Sequence, residues 1–330
     1  MMRVLVFDTH RFERDTFERA FAGRGHDLRL LEPRLTVETA PLADGAEVVC
    51  SFVNDRLDAP AIARLAAGGV RLIALRSAGF NHVDVDAAHA AGLAVVRVPE
   101  YSPYAVAEHA MALLLALVRH LPRAAFRVRE MNFALDGLVG FDLHGKTVGV
   151  VGTGRIGAAF ARICLGFGCR VLVFDHAPNP ALVAAGAIAA PIEQLYAEAD
   201  VLSLHVPLTP ATHHLLDAAA FARMKRGAIL VNTSRGGLLD TPALIEALKS
   251  GHLGGAALDV YEEEEGLFFR DLSDRVLTDD VLARLMTFPN VLLTAHQGFL
   301  TREALEAIAR TTADNIDAFA RGDRPLPNSV

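Results

Sequence analysis

Tryptophan is absent from this chain, and cysteine is scarce. The three cysteines, Cys50, Cys164 and Cys169, are odd in number and show no CxxC spacing. That argues against a disulfide framework and a cysteine zinc site. They read as small apolar packing residues in a reducing compartment. Excess positive charge is also missing. The formal net charge is −7, and no basic cluster is interleaved with aromatics, which argues against a nucleic-acid or anionic-membrane surface. The apolar stretch at 110–118 is too short to cross a bilayer, and His109, Arg119 and His120 flank it. The first residues read as a strand, not a signal peptide, because Asp8 follows only four apolar residues. A cytoplasmic protein is expected. No HExxH pair occurs, so no metal is expected, and no Gly-x-Ser-x-Gly elbow points to a serine nucleophile.

What is present is a repeated alternation. The 330 residues favour two domains of ordinary size. In the second half, six short runs rich in Val, Leu and Ile read as strands buried on both faces. Each leads to a residue capable of chemistry. Thr147–Val151 leads to Gly152, 171–174 to Asp175, Val201–Leu204 to His205, 228–231 to Asn232 and Arg235, 256–258 to Asp259 and Glu264, and Val291–Leu293 to His296. Helix-forming stretches separate most of them. Parallel sheets of this kind bind ligands outside the carboxyl ends of their strands.

The first hundred residues repeat the pattern more weakly. Strands are expected at 3–7, 47–52, 71–75 and 94–98, and helices at 11–22 and 83–91. Phe52, Arg76-Ser77-Ala78-Gly79 and Tyr101 follow these strands. Ser102-Pro103 suits a helix start, with apolar residues continuing to Leu121. Residues 301–320 predict a long amphipathic helix capped by Thr301. Two long helices flanking the second α/β unit suggest that the chain crosses between domains twice. The C-terminus would then complete the first domain, and an interdomain cleft would hold the substrate.

Gly152-Thr153-Gly154-Arg155-Ile156-Gly157 matches G-x-G-x-x-G between a strand and a predicted helix, with Asp175 standing 23 residues after Gly152. Gly152 permits a tight turn, Gly154 lets a pyrophosphate approach the backbone, and Gly157 packs helix on strand. Asp175 suits adenosine ribose hydroxyls and repels a 2′-phosphate. His176, rather than Arg, comes next, so NAD is favoured over NADP. Arg235 precedes two glycines and suits bidentate capture of a carboxylate, although pairing with a surface Asp remains open. His296 is either a hydrogen-bonded structural residue or an acid/base group. A carboxylate from the run Glu262–Glu265 would favour its charged form. The other three carboxylates of that run read as solvated. His205 either lines the cofactor site or caps a strand, and His213-His214 suit a surface turn.

Together these residues resemble the NAD-dependent D-2-hydroxyacid dehydrogenases. The likeness runs through Gly152–Gly157 with Asp175, the stretch 203–210 with His205, Val206 and Pro207, the stretch 231–236 with Thr233, Ser234 and Arg235, 258–261 with Glu264, and His296. Within that family, the stretches 51–55, 74–81, 97–103, 107–109 and 298–300 are most similar to the fermentative D-lactate dehydrogenases. The resemblance implies an α/β protein of two Rossmann-like, doubly wound parallel-sheet domains with an interdomain cleft. A flavodoxin-like catalytic domain, 1–100 with 299–330, would surround an inserted NAD-binding Rossmann domain, 101–298. It implies that Arg235 binds the substrate carboxylate and polarises its carbonyl, that His296 is the acid/base, and that Glu264 is its partner. Asp259 would contact the nicotinamide end of NAD. The backbone at Ala78 and Gly79 would hold the carboxylate, while Phe52, Tyr101 and Phe299 shape the side-chain pocket. The expected activity is reduction of pyruvate to D-lactate by a homo-oligomer, dimer or tetramer. Reduction of another 2-keto acid (hydroxypyruvate, glyoxylate or phenylpyruvate) and non-catalytic NAD sensing are the alternatives.

Overall fold

Short apolar runs become the strands of two parallel sheets. The computed structural model describes residues 1–330 and divides into two units, Met1–Ser102 with Leu300–Val330, and Pro103–Phe299. In the first, β1 (Arg3–Val6), α1 (Arg11–Phe21), β2 (Asp27–Leu30), β3 (Val48–Ser51), α2 (Ala59–Ala67), β4 (Leu72–Leu75), α3 (Val85–Ala90) and β5 (Ala94–Val96) follow in order. The sheet order is β2-β1-β3-β4-β5, the flavodoxin-like arrangement. β3 and β4 lie inside the sheet and are buried at every position.

Two elements of this unit are not anticipated by the sequence pattern. β2 is an edge strand in which Asp27 and Arg29 alternate with leucines, so it lacks the apolar run of a central strand. α2 starts at Asp58, whose side chain accepts the Ala61 N–H, and Pro60 sits in its first turn.

The second unit holds α4 (Pro103–Val118), α5 (Leu121–Arg129), β6 (Thr147–Val151), α6 (Arg155–Gly166), β7 (Arg170–Phe174), α7 (Pro180–Ala184), β8 (Ile188–Ala189), α8 (Ile192–Glu198) and β9 (Val201–Leu204). Then come α9 (Ala218–Arg223), β10 (Ile229–Asn232), α10 (Thr241–Lys249), β11 (Gly255–Leu258), α11 (Asp280–Met286) and β12 (Val291–Leu293). Its parallel sheet runs β12-β11-β10-β9-β6-β7-β8, so the order reverses between β6 and β9. One core packs α4 and α6 on the sheet, and another packs Leu195, Phe221, Leu244 and Leu285 on the opposite face. The chain ends with α12 (Arg302–Arg321) in the first unit, packed on α1 and β4. Thr301 caps its start, and Gly322 closes it at φ 81°.

Two sequence expectations need correction. The helix begun at Pro103 stops at Val118 instead of Leu121. Inside a continuous helix, Pro122 would clash with the carbonyl of residue 118, so His120 turns to φ 51° and a new helix starts. β12 is half-exposed and not buried on both faces, because it pairs only with β11 at the sheet edge. No single helix is long and apolar enough to cross a membrane.

Candidate active site

Every loop of chemical interest in the second unit leaves the carboxyl edge of its sheet. After β6, Gly152 adopts φ 94°, and a Cβ there would strike the His205 carbonyl. A Cβ on Gly157 would strike the Gly152 carbonyl, so helix and strand close only on glycine. Nothing lies within 4 Å of a Cβ position on Gly154. No side chain caps the twelve-residue α6 that starts at Arg155, leaving its first N–H groups available to an anion. Ile156 is half-buried in that first turn, against the core under α6.

Asp175, after β7, accepts from the Thr153 N–H at 2.6 Å and the Thr153 hydroxyl at 2.9 Å. Burial opposes its ionisation, but these bonds and the Ala177 N–H hold the carboxyl below its usual range. It is therefore an anionic acceptor at neutral pH. The buried Thr233 hydroxyl has no hydrogen-bond partner, whereas Ser234 donates to the Val206 carbonyl at 2.6 Å. That bond ties the Val206-Pro207 turn after β9 to the turn after β10. An open glycine cradle, an uncapped helix start, an anionic Asp and an orphaned hydroxyl all fit NAD.

The His205 ring lies tilted against Phe160, centroids 5.1 Å apart, and shares a hydrogen bond with the Ser203 hydroxyl. Burial pushes its imidazole down to about 3. It is neutral across the physiological range and is no proton donor. Its carbonyl lies against the Gly152 turn.

The remaining groups come from three neighbouring strands, β10, β11 and β12. Arg235 follows β10. Its guanidinium makes no ion pair and donates only to the adjacent Ser234 carbonyl, at 2.7 Å. No Asp or Glu side chain pairs with it in this structure. A Cβ on Gly236 would strike the backbone of Tyr261 and Glu262, so this turn packs directly on the loop after β11. Glu264 of that loop holds His296 Nδ1 at 2.7 Å through Oε1, while its Oε2 accepts the Tyr261 N–H at 3.2 Å. With Nδ1 occupied, Nε2 is the nitrogen left to meet a substrate.

Asp259 anchors the His296 loop. Its Oδ1 accepts from Thr294, the Gln297 N–H and His109, and its Oδ2 accepts the Gly298 N–H at 2.7 Å. Burial opposes ionisation here too, but the donors, led by His109 and Thr294, keep the carboxyl below its usual range. The residue is 1% exposed, so a direct contact with NAD would have to use what remains of Oδ2.

In the first unit, Phe52 is buried behind β3. Its N–H donates to Asp55, and its ring lies 4.9 Å from the guanidinium carbon of Arg76. Arg76 is fully buried, donates to the carbonyls of Phe7 and Asp8, and stands 3.6 Å from Glu13. After β4, the Ser77 hydroxyl donates to the Gly79 carbonyl and Arg97 to the Ala78 carbonyl, fixing that turn with its backbone at the strand end. Tyr101 is half-buried there. Phe299, half-buried, ends the other unit.

Sequence reasoning gives no role to His109 or Thr294, though each donates to Asp259, and it counts Thr153 in the glycine fingerprint without its bonds to Asp175. The available signal for His109 is a polar residue inside an otherwise apolar helix. It also places Glu262 in a solvated run, whereas Glu262 pairs with His214 and Thr241. His213 and His214 do lie in a turn, His213 exposed and His214 half-buried against Glu262.

A glycine-cradled nucleotide site beside a carboxylate–imidazole pair and an unpaired arginine defines a dinucleotide-dependent oxidoreductase. The family described as D-isomer specific 2-hydroxyacid dehydrogenase, NAD binding domain, matches residues 111–298. The 2-hydroxyacid dehydrogenase homolog 1 of Schizosaccharomyces pombe is 52% identical over 97% of this chain and 96% of its own. The D-lactate dehydrogenase of Escherichia coli (strain K12) is 48% identical over 100% of both chains. A solved structure of the pyruvate reductase of Chlamydomonas reinhardtii superposes with a TM-score of 0.94 at 45% identity, covering 99% of this chain and 98% of that one. The chain belongs to the D-isomer-specific 2-hydroxyacid dehydrogenases, and NAD is its cofactor.

Proposed function

We propose that this enzyme is a D-lactate dehydrogenase, interconverting pyruvate and D-lactate. The observation that carries the reading is the His296–Glu264 pair beside an Arg235 with no anionic partner. Arg235 captures the pyruvate carboxylate through its planar fork and stabilises charge on the keto oxygen. His296 gives the proton on Nε2 to that oxygen, and Glu264 on Nδ1 fixes the ring and offsets its positive charge. NADH, when bound, supplies the hydride that reduces the keto carbon. Gly152, Thr153, Gly154, Arg155, Ile156 and Gly157 would hold its pyrophosphate, and Asp175 its adenosine ribose. His205, Val206, Pro207, Thr233 and Ser234 would line the rest of its path, with Asp259 at the nicotinamide end.

In this reading residues 1–100 with 299–330 bind substrate, and residues 101–298 bind NAD. The backbone of Ala78 and Gly79 holds the carboxylate, and Phe52, Tyr101 and Phe299 enclose the methyl group. The proposal includes a cytoplasmic homo-oligomer. Three free, buried cysteines suit a reducing compartment. Phe126, Met131, Phe133 and Leu135 are exposed on α5 and the loop beyond, an apolar stretch of the kind that a second copy covers.

The test is NADH oxidation with pyruvate, 2-ketobutyrate, hydroxypyruvate, glyoxylate and phenylpyruvate, followed by chiral analysis of the product. D-lactate from the preferred substrate is expected. A tenfold preference for another keto acid would replace the lactate assignment.

A further inference from the structure

His213 and His214 lie outside the proposed reaction centre, and their rings are stacked on each other. Consecutive side chains of an extended segment point to opposite sides. Here His214 adopts φ 50°, which brings both imidazoles to one side, stacked with centroids 3.9 Å apart and planes 24° apart. Backbone bonds hold the pair in place: the His213 N–H donates to Thr209 and the His214 N–H to Gly237, each at 2.9 Å. Glu262, from the loop after β11, points Oε1 at His214 Nε2, and the Thr241 hydroxyl holds its other oxygen at 2.9 Å. One ligand atom from each of His213, His214 and Glu262 lies within 4.8 Å of the others.

From this cluster we infer that His213, His214 and Glu262 form a binding site for a divalent transition cation of the zinc class, separate from the reaction centre. Two imidazoles and one carboxylate suit zinc better than magnesium or calcium, which prefer all-oxygen sets. Bonds of about 2.0–2.2 Å in a tetrahedron set the ligand atoms roughly 3.3 Å apart. Rotation of these side chains out of the stack would be needed to reach that spacing, with the cation taking the place of the proton in the His214–Glu262 hydrogen bond. Thr241 fixes the ligating carboxylate from behind, as outer partners do at metal sites. His213 is exposed, so a fourth position is left to water. The neighbouring Glu263 and Glu265 are exposed and add negative potential toward a cation.

The site would join two segments of the proposed reaction centre. Glu262 stands two residues before Glu264, and the His213 ring lies 3.8 Å from a Cβ position on Gly237, just past Arg235. A bound cation would therefore brace the turn that carries Arg235 against the loop that carries Glu264.

The experiment uses the full chain without a histidine tag, stripped with EDTA. Zinc chloride is titrated calorimetrically, and thermal unfolding is followed with and without zinc. One zinc per chain is expected, with unfolding raised by about 5 °C at roughly 100 times Kd. Magnesium should give neither effect. His213→Ala, at an exposed position, should fold normally and keep its metal-free activity, yet bind zinc at least tenfold more weakly. Glu262→Gln should do the same for binding. Zinc binding that survives both substitutions, as it would at the His296–Glu264 pair, overturns the site. So does a wild-type chain that takes up no zinc at 100 µM, about a hundred times a micromolar Kd.

Discussion

The backbone N–H of His296 donates to the carbonyl of Asp259 at 2.6 Å, while the Asp259 carboxylate collects the N–H groups of Gln297 and Gly298 on its far side. His296 itself sits at φ 54°, in the left-handed region that few residues other than glycine occupy. In the proposed reaction Asp259 would therefore act chiefly by positioning the His296 loop, with any contact to the nicotinamide end secondary. Asp259→Asn replaces one acceptor oxygen with an NH2 that faces an N–H donor, costing about 1–3 kcal/mol in the loop. A displacement of about 1 Å at His296 lowers turnover by as much as 100-fold. We expect kcat to fall at least tenfold while the Kd for NADH, read by fluorescence quenching, changes less than threefold. A large rise in that Kd with kcat intact would instead assign Asp259 to the cofactor.

Arg235 has no anionic partner of its own, and in the proposed reaction its guanidinium would meet the substrate carboxylate. Lysine keeps the charge but turns two parallel hydrogen bonds into a point contact. Each charged hydrogen bond contributes about 1.5–3 kcal/mol, so kcat/KM for pyruvate should drop by roughly 10- to 100-fold or more in Arg235→Lys. Near-normal kinetics would make Arg235 structural.

Asp175 is held as an anion by Thr153 and the turn after it. Ribose hydroxyls can donate to it, and a 2′-phosphate is repelled. Asp175→Ala should therefore erode the preference for NADH, mainly by raising its KM. Comparable use of NADPH by the unmodified enzyme would remove the basis of the assignment.

The glycine fingerprint and the strand-end residues were legible because each is local: a turn needs glycine, and a buried strand needs an apolar run. The Asp259 network was not legible. Its donors come from residue 109 and residues 294–298, which meet Asp259 only because β11 and β12 are neighbours and α4 crosses them. Nor does the pattern show that Arg76 is buried, since its partners Phe7, Glu13 and Phe52 lie on separate segments. Glu262 sits in an acidic run that composition alone places in water, and only the fold sets it against His214 and Thr241.

Burial pushes the Asp55 carboxyl up to about 7, against the N–H groups of Leu35 and Phe52 and the charge of Arg76. The unfolded value is about 3.9. Between those values the native state keeps a proton that the unfolded state has released. Stability from this group is therefore full below about pH 4, declines as pH rises toward 7, and is level above that. Asp55→Asn removes the titration and adds only a pH-independent offset. Thermal unfolding of both proteins from pH 5 to 8 should show the wild type losing ground to the variant up to about pH 7. Parallel curves would mean that Asp55 stays ionised throughout.

Phe52 is held from two directions, by Asp55 on its N–H and by the Arg76 guanidinium under its ring. A ring fixed this firmly sets a hard limit on substrate size if it lines the pocket. Pyruvate has only a methyl group beyond its keto carbon, so a pocket of Phe52, Tyr101 and Phe299 should be small and apolar. Phe52→Ala should open room for longer keto acids and cost activity on pyruvate, which would no longer be held in place. Each added methylene that finds apolar contact contributes roughly 1 kcal/mol, so preference should shift by about fivefold to tenfold per carbon. Because Phe52 also covers Arg76, the variant's melting temperature must be measured alongside, to separate a changed pocket from a loosened unit. The decisive measurement is kcat/KM for pyruvate, 2-ketobutyrate and phenylpyruvate in both proteins. Ratios that stay fixed would place Phe52 outside the pocket, however strongly its loss affects stability, and would leave the preference for pyruvate to be explained by Tyr101 and Phe299.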